Sequence, residues 1–124
     1  MDYIFYMKQP PMTVVETPIF LRAAKSLLSD DERQELVAYL AEYPEKGVII
    51  PDTGGVRKLR WARKGEGKSS GYRVIYYFHS KYIPLFAILI YGKNDKSNLT
   101  KEEKNTMKRL TAILAGYGSE VCQK

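Results

Sequence analysis

Along the first third of the chain, apolar residues recur at helical spacing. Phe20, Ala23, Ala24 and Leu27 fall at i, i+3, i+4 and i+7, which gathers them on one face of a helix. Thr17-Pro18 stands just ahead of them and supplies an N-cap followed by proline at the first helical position, where a missing N–H costs nothing. Ser29-Asp30-Asp31-Glu32 predicts a second helix: serine and glutamate form a capping box, and Leu36, Val37 and Leu40 make the buried stripe beyond it. Tyr43-Pro44 and Gly47 end that helix, since proline cannot continue the hydrogen-bond ladder and disfavours helical geometry at the preceding residue. A helical hairpin results, preceded by a Pro10-Pro11 break and a short β-prone stretch at residues 13–16.

From Gly47 the pattern changes to short β-rich runs separated by glycine-bearing turns, at residues 48–50, 57–63, 72–78 and 83–91. These predict an antiparallel meander. In the run 57–63, alternation puts Leu59 and Trp61 on one face and Lys58, Arg60 and Ala62 on the other. The same alternation assigns Trp61 to core packing rather than to stacking on a base. Thr100-Lys101-Glu102-Glu103 is another capping box, opening a helix with Met107, Leu110, Leu114 and Tyr117 on one face and an expected end near Gly116 and Gly118. The expected class is α+β, a helical hairpin on a small antiparallel sheet with a closing C-terminal helix, all helices against one face of the sheet. A single domain over residues 13–118 is expected, with an N-terminal extension at 1–12 and a C-terminal tail at 119–124.

Composition narrows the classes of function. At 124 residues and 44% apolar content the chain suits one domain with one real core. The longest apolar run, residues 83–91, is interrupted by Pro84 and falls far short of the roughly 20 residues that span a bilayer. The opening MDYIFYMKQPPM lacks both a basic leader and a small-residue cleavage pattern, so no secretory signal is expected and the cytoplasm is the expected location. Cys122 is the sole cysteine, which excludes an internal disulfide and a cysteine-based metal cluster.

Charge is the most informative bulk property once it is located. Residues 57–73 hold Arg57, Lys58, Arg60, Arg63, Lys64, Lys68 and Arg73 against Glu66 alone, which equals the net charge of +6 for the whole chain. Acids and bases cancel elsewhere. A patch so confined suits a polyanionic partner as well as it suits a merely solvated face, because four of the seven cations are arginines interleaved with Leu59 and Trp61. If run 57–63 pairs antiparallel with 72–78 through the loop KGEGKSSG, and 83–91 returns beside it, then Arg60, Arg63, Lys68, Arg73, Tyr91 and Lys93 surround one concave end of the sheet. His79, the only histidine, falls in the opposite turn and reads as a solvent-exposed turn residue. Asp52 and Asp95 are separate loop acids with no metal-ligand spacing.

Over residues 44–114 the chain resembles the RelE/HigB-type toxins of bacterial toxin-antitoxin modules, and most closely the HigB branch. The resemblance is carried by the order and spacing of three stretches: TGGVRKLR at 53–60, GEGKSSGYRVIYY at 65–77, and IYGKN at 90–94 followed by Asn98-Leu99-Thr100. It implies the RelE-like microbial ribonuclease fold and a ribosome-associated endoribonuclease that cuts translated mRNA without metal or other cofactor. It also implies a cognate antitoxin, expected to be a helix-turn-helix protein. Such cleavage makes the adjacent ribose 2′-hydroxyl the nucleophile, which demands a base for its proton, cations for the crowded phosphorane and an acid for the departing 5′ oxygen. Arginine suits the second role, because its planar fork holds two phosphoryl oxygens and stays charged at any working pH. Lysine at its reference pKa of about 10.4 is a poor base, but neighbouring cations lower that value.

By position, the resemblance gives Arg73 phosphate or transition-state stabilisation. It sets Lys58 and Arg60 on the preceding strand, one contacting the scissile phosphate and Lys58 the candidate for proton transfer, and it places Lys93 near the site. Where some members use a C-terminal tyrosine this chain has Thr100, with Tyr91 and Tyr117 as substitutes, so the general base stays open. Arg57, Arg63, Lys64, Lys68 and Tyr91 are the expected RNA contacts, where charge matters more than geometry. Two alternatives remain open: a ParE-like poison of a protein target such as DNA gyrase, and a basic nucleic-acid-binding module.

Overall fold

The computed structural model describes residues 11–62, 71–92 and 98–122, with side chains as far as 116. Its elements in chain order are β1 (Val14–Glu16), α1 (Pro18–Leu27), α2 (Asp30–Glu42), β2 (Val48–Ile49), β3 (Val56–Trp61), β4 (Tyr72–Tyr77), β5 (Leu85–Gly92) and α3 (Lys101–Cys122). Each helix start is built from the residues that predict it. The Thr17 hydroxyl accepts from the Phe20 N–H at 3.2 Å. Ser29 and Glu32 exchange both capping-box bonds, at 2.9 and 3.1 Å, and Thr100 and Glu103 do the same at 2.8 and 3.1 Å. The third helix continues to Cys122 instead of stopping near Gly116 and Gly118. Glycine inside a helix costs only about 1 kcal/mol, and no proline follows to stop it.

The five strands form one sheet in the order β1-β5-β4-β3-β2. β2 to β5 make the expected antiparallel meander, whereas β1 adds parallel to β5, with Val14 opposite Leu85, so the sheet is mixed. The β4–β5 register shifts between Ile75 and Tyr76, whose partners are Leu89 and Ala87, leaving Ile88 as the extra residue of a bulge. Thr17 meets this bulge: its N–H donates to the Ala87 carbonyl at 3.1 Å and its hydroxyl to the Ile88 carbonyl at 3.3 Å. One threonine thus caps α1 and pins it to β5.

β4 is central and buried along its whole length, so its alternate side chains feed two cores. Tyr72, Val74 and Tyr76 join Leu59, Leu85, Ala87 and Ile90 under Phe20, Ala24, Leu28, Leu36 and Leu40 of the helical hairpin. On the other face Ile75 and Tyr77 join Val56, Ile88 and Tyr91 under Leu99 and, from α3, Met107 and Leu114. The expectation that all helices share one face is therefore corrected. A strand apolar on both sides needs a cover on each, and the apolar stripe of α3 supplies the second.

Tyr76 anchors the turn between α2 and β2. Its hydroxyl donates to the Pro44 carbonyl at 2.8 Å and accepts from the buried Gly47 N–H at 2.8 Å. Tyr76→Phe strands both backbone groups, and a loss of about 1–3 kcal/mol in urea unfolding is expected with little change of fold. Burial raises the phenol pKa of Tyr76, Tyr77 and Tyr91 alike. A phenol in the unfolded chain ionises near pH 10 while the folded protein holds its proton longer. Stability from this source is complete below about pH 10 and is lost as pH rises through the folded-state values. The urea midpoint is expected to fall in that alkaline window.

Candidate functional site

The strand registers assemble the site. Arg60 pairs with Arg73 across β3 and β4, and Arg73 pairs with Tyr91 across β4 and β5, so these three residues form one row across the sheet. Cross-strand neighbours on one face lie about 4.5–5.5 Å apart at Cα. The next row is Lys58, Ile75 and Leu89. Since Ile75 and Tyr91 belong to the core beneath α3, Lys58, Arg60 and Arg73 share the α3 face with them. The cationic end and that core are therefore successive parts of one surface.

Gly71-Tyr72-Arg73 opens β4, and each residue has a separate task. A Cβ on Gly71 would fall 2.3 Å from the Trp61 carbonyl oxygen and 2.9 Å from the Ala62 Cα. Glycine is required because β3 and β4 approach so closely there. Tyr72 points into the hairpin core, where its hydroxyl donates to the Leu27 carbonyl at 3.1 Å at the end of α1. Arg73 then takes the opposite face. It is only 8% exposed, and its Nη1 has no hydrogen-bond partner among the described residues. Opposite Arg60, it is a buried cation facing a like charge, an arrangement that costs stability and is expected where an anion is to be held.

Tyr91 completes the row. Burial is the main cause of its raised pKa, with Arg73 pulling it down and Glu103 of α3 pushing it up. It is a neutral phenol at ordinary pH and suits proton donation better than proton removal. Lys58 Nζ reaches Asn98 Oδ1 at 3.4 Å, just ahead of α3. A hollow of about 320 Å³ lined by Ile50, Lys58, Asn98, Leu99 and Lys104 opens beside it. Thr100 is committed to capping α3, its hydroxyl accepting from the Glu103 N–H at 3.1 Å.

Not all the sequence candidates converge. Arg57 alternates onto the hairpin face, and its Nη1 donates to the Glu45 and Gly47 carbonyls at 3.1 and 2.9 Å, bracing the turn before β2. Arg63, Lys64, Lys68 and Lys93 lie outside the described residues, as do Ser69 and Ser70, and the Tyr117 side chain does also. His79 stands in the β4–β5 turn, its Nδ1 3.1 Å from the Tyr77 hydroxyl. Asn98 and Glu103 are neighbours of the site to which the sequence reading gave no role there. Asn98 entered that reading only inside a stretch that carries the resemblance, and Glu103 only as a member of the capping box.

A mixed sheet between a helical hairpin and a closing helix, with Arg60 and Arg73 side by side at one sheet end, defines a small α+β protein. The family model of the RelE toxin of the RelE/RelB toxin-antitoxin system matches residues 12–124. The chain belongs to that family: it is a RelE-type toxin of a toxin-antitoxin system, and the family implies an antitoxin partner. Among the described residues, no helix is long and apolar enough to cross a membrane.

Proposed function

We propose that this toxin is an endoribonuclease of the HigB branch that cuts mRNA on the translating ribosome, in the cytoplasm, and is restrained by a helix-turn-helix antitoxin. The observation that carries the nuclease reading is the Arg60–Arg73–Tyr91 row, with Arg73 buried and its Nη1 unengaged among the described residues. Two adjacent guanidiniums facing one way suit the phosphorane that forms when a 2′-oxygen attacks the neighbouring phosphorus. In that step the 2′-hydroxyl loses its proton, the new O–P bond forms, the P–O5′ bond breaks, and the leaving 5′ oxygen takes up a proton. A 2′,3′-cyclic phosphate and a 5′-hydroxyl end result.

In this reading Arg73 holds the non-bridging oxygens and Arg60 shares the charge from the adjacent strand. Lys58 takes the 2′ proton onto its unprotonated amine and becomes an ammonium, with Asn98 Oδ1 orienting the nitrogen. Tyr91, kept protonated by burial, donates toward the leaving oxygen. Lys93 is counted with the catalytic cations in this reading, and Arg63, Lys64 and Lys68 are the contacts to mRNA and ribosomal RNA. Arg57 is left out of that surface because its guanidinium braces the turn. Mapping 5′ ends of cellular mRNA after brief induction tests the proposal. New 5′-hydroxyl ends in phase with codons are expected. Growth arrest with intact mRNA and impaired DNA supercoiling would reassign the protein to the gyrase-poisoning type.

A further inference from the structure

β2 is only two residues long and pairs only with Arg57 and Lys58. Beyond Lys58, no described strand borders the outer edge of β3, and a groove of about 670 Å³ wraps around that edge. It is open to both faces of the sheet. Lys58 and Arg60 reach it from the α3 face, Trp61 and Tyr39 from the hairpin face, and Lys46 from the turn, with no acidic side chain among its lining residues. The Tyr39 and Trp61 rings stand 5.3 Å apart between centroids at 59°, and Tyr43 continues the series 5.0 Å from Tyr39. Trp61 packs against the hairpin core yet is only partly buried.

We infer that this groove is a nucleobase subsite: a base flanking the scissile phosphate leaves the Arg60–Arg73 row, crosses the open edge of β3 and lies against the Trp61–Tyr39 wall, while Lys46 and Arg60 hold the phosphates on either side of it. The inference rests on the RNA-cleavage reading above. Its own support is the union of aromatic faces with cations in one groove that has no acid among its described lining residues, the combination that binds single-stranded nucleic acid with little sequence preference. An extended acidic peptide pairing along the β3 edge is the competing occupant. That occupant would need the strand edge and the charges, but not the rings.

Trp61 is the only tryptophan in the chain, so its fluorescence reports on this groove alone. The full-length protein is titrated with a short 2′-O-methyl oligoribonucleotide, which cannot supply the attacking hydroxyl, with the same oligonucleotide lacking one base, with heparin and with polyglutamate. The base-bearing strand is expected to quench Trp61. The form abasic at the bound position should bind about 10-fold more weakly and quench little, and heparin should leave the emission unchanged. Tyr39→Leu, checked for an unchanged thermal melt, should weaken binding of the base-bearing strand by about 10-fold while leaving heparin affinity unaltered. Equal responses to base-bearing and abasic strands, or no response to either, overturn the subsite, and a response to polyglutamate alone assigns the groove to a polypeptide. Cleavage of translated mRNA by the wild-type protein is measured in parallel. Cleavage without quenching removes only the subsite, whereas quenching without cleavage removes the nuclease reading and leaves an RNA-binding groove.

Discussion

Arg73→Ala is expected to give a folded protein that neither cuts mRNA nor arrests growth, with cleavage in a translating extract reduced about 10³-fold or more. The size of the effect follows from where the guanidinium sits. Arg73 is 8% exposed on the central strand, so its charge acts on a phosphorane with little screening by water. Stability is expected to move the other way. In the free protein this buried cation faces Arg60, and its Nη1 has no partner among the described residues, so an apolar replacement of similar length removes a cost. Arg73→Met should therefore melt at or above the wild-type temperature while being as inactive as the alanine variant. A variant that melts normally and still kills would show that the phosphate is held elsewhere. Loss of activity together with a large drop in melting temperature would make Arg73 a structural residue.

Gly54→Ala is expected to destabilise the fold by about 3 kcal/mol in urea unfolding. Gly54 has φ +81°, where a side chain costs about 1–2 kcal/mol, and a Cβ there would overlap the Thr111 Oγ1 of α3. That hydroxyl cannot step aside, because it donates to the carbonyls of Thr53 and Lys108 at 3.1 and 3.0 Å. Overpacking of this kind adds about 1–3 kcal/mol. Thr111→Ala alone should cost about 1–2 kcal/mol for the lost buried hydrogen bond. In the double variant the two costs should fall short of additive, since the clash is gone and only backbone strain remains. Strict additivity would mean that α3 does not rest on this turn.

The sequence made much of this legible because its signals were local. Capping boxes at Ser29 and Thr100 and the proline after Thr17 depend on neighbours within four residues, and all three helices begin where these residues predict. The cross-strand row was partly readable too. Alternation placed Lys58 and Arg60 on one face, but Arg73 joins them there only in the register that pairs it with Arg60, and a slip of one residue would have turned it to the other face. Other features were set by partners far away in the chain. Arg57 looks like one more member of a cationic run, and only the carbonyls of Glu45 and Gly47 show that its guanidinium serves the turn. The side of the sheet taken by α3 was hidden because an apolar helical stripe fits either face, and a wholly buried β4 offers both. Trp61 reads as core from its alternation with Leu59. That is half its environment, the other half coming from the early end of β2, which no local pattern announces.

The parallel pairing of β1 with β5 has a consequence in time. Thr17 and the Ile88 carbonyl that its hydroxyl meets are 71 residues apart, so the first strand has no pairing partner until β5 leaves the ribosome. At about 5–20 residues per second, that wait lasts on the order of several seconds. Arg60, Arg73 and Tyr91 come from three strands, of which the last must also be made before the row exists. A chain assembled in this way cannot present that row until β5 has been made, however early its helices form.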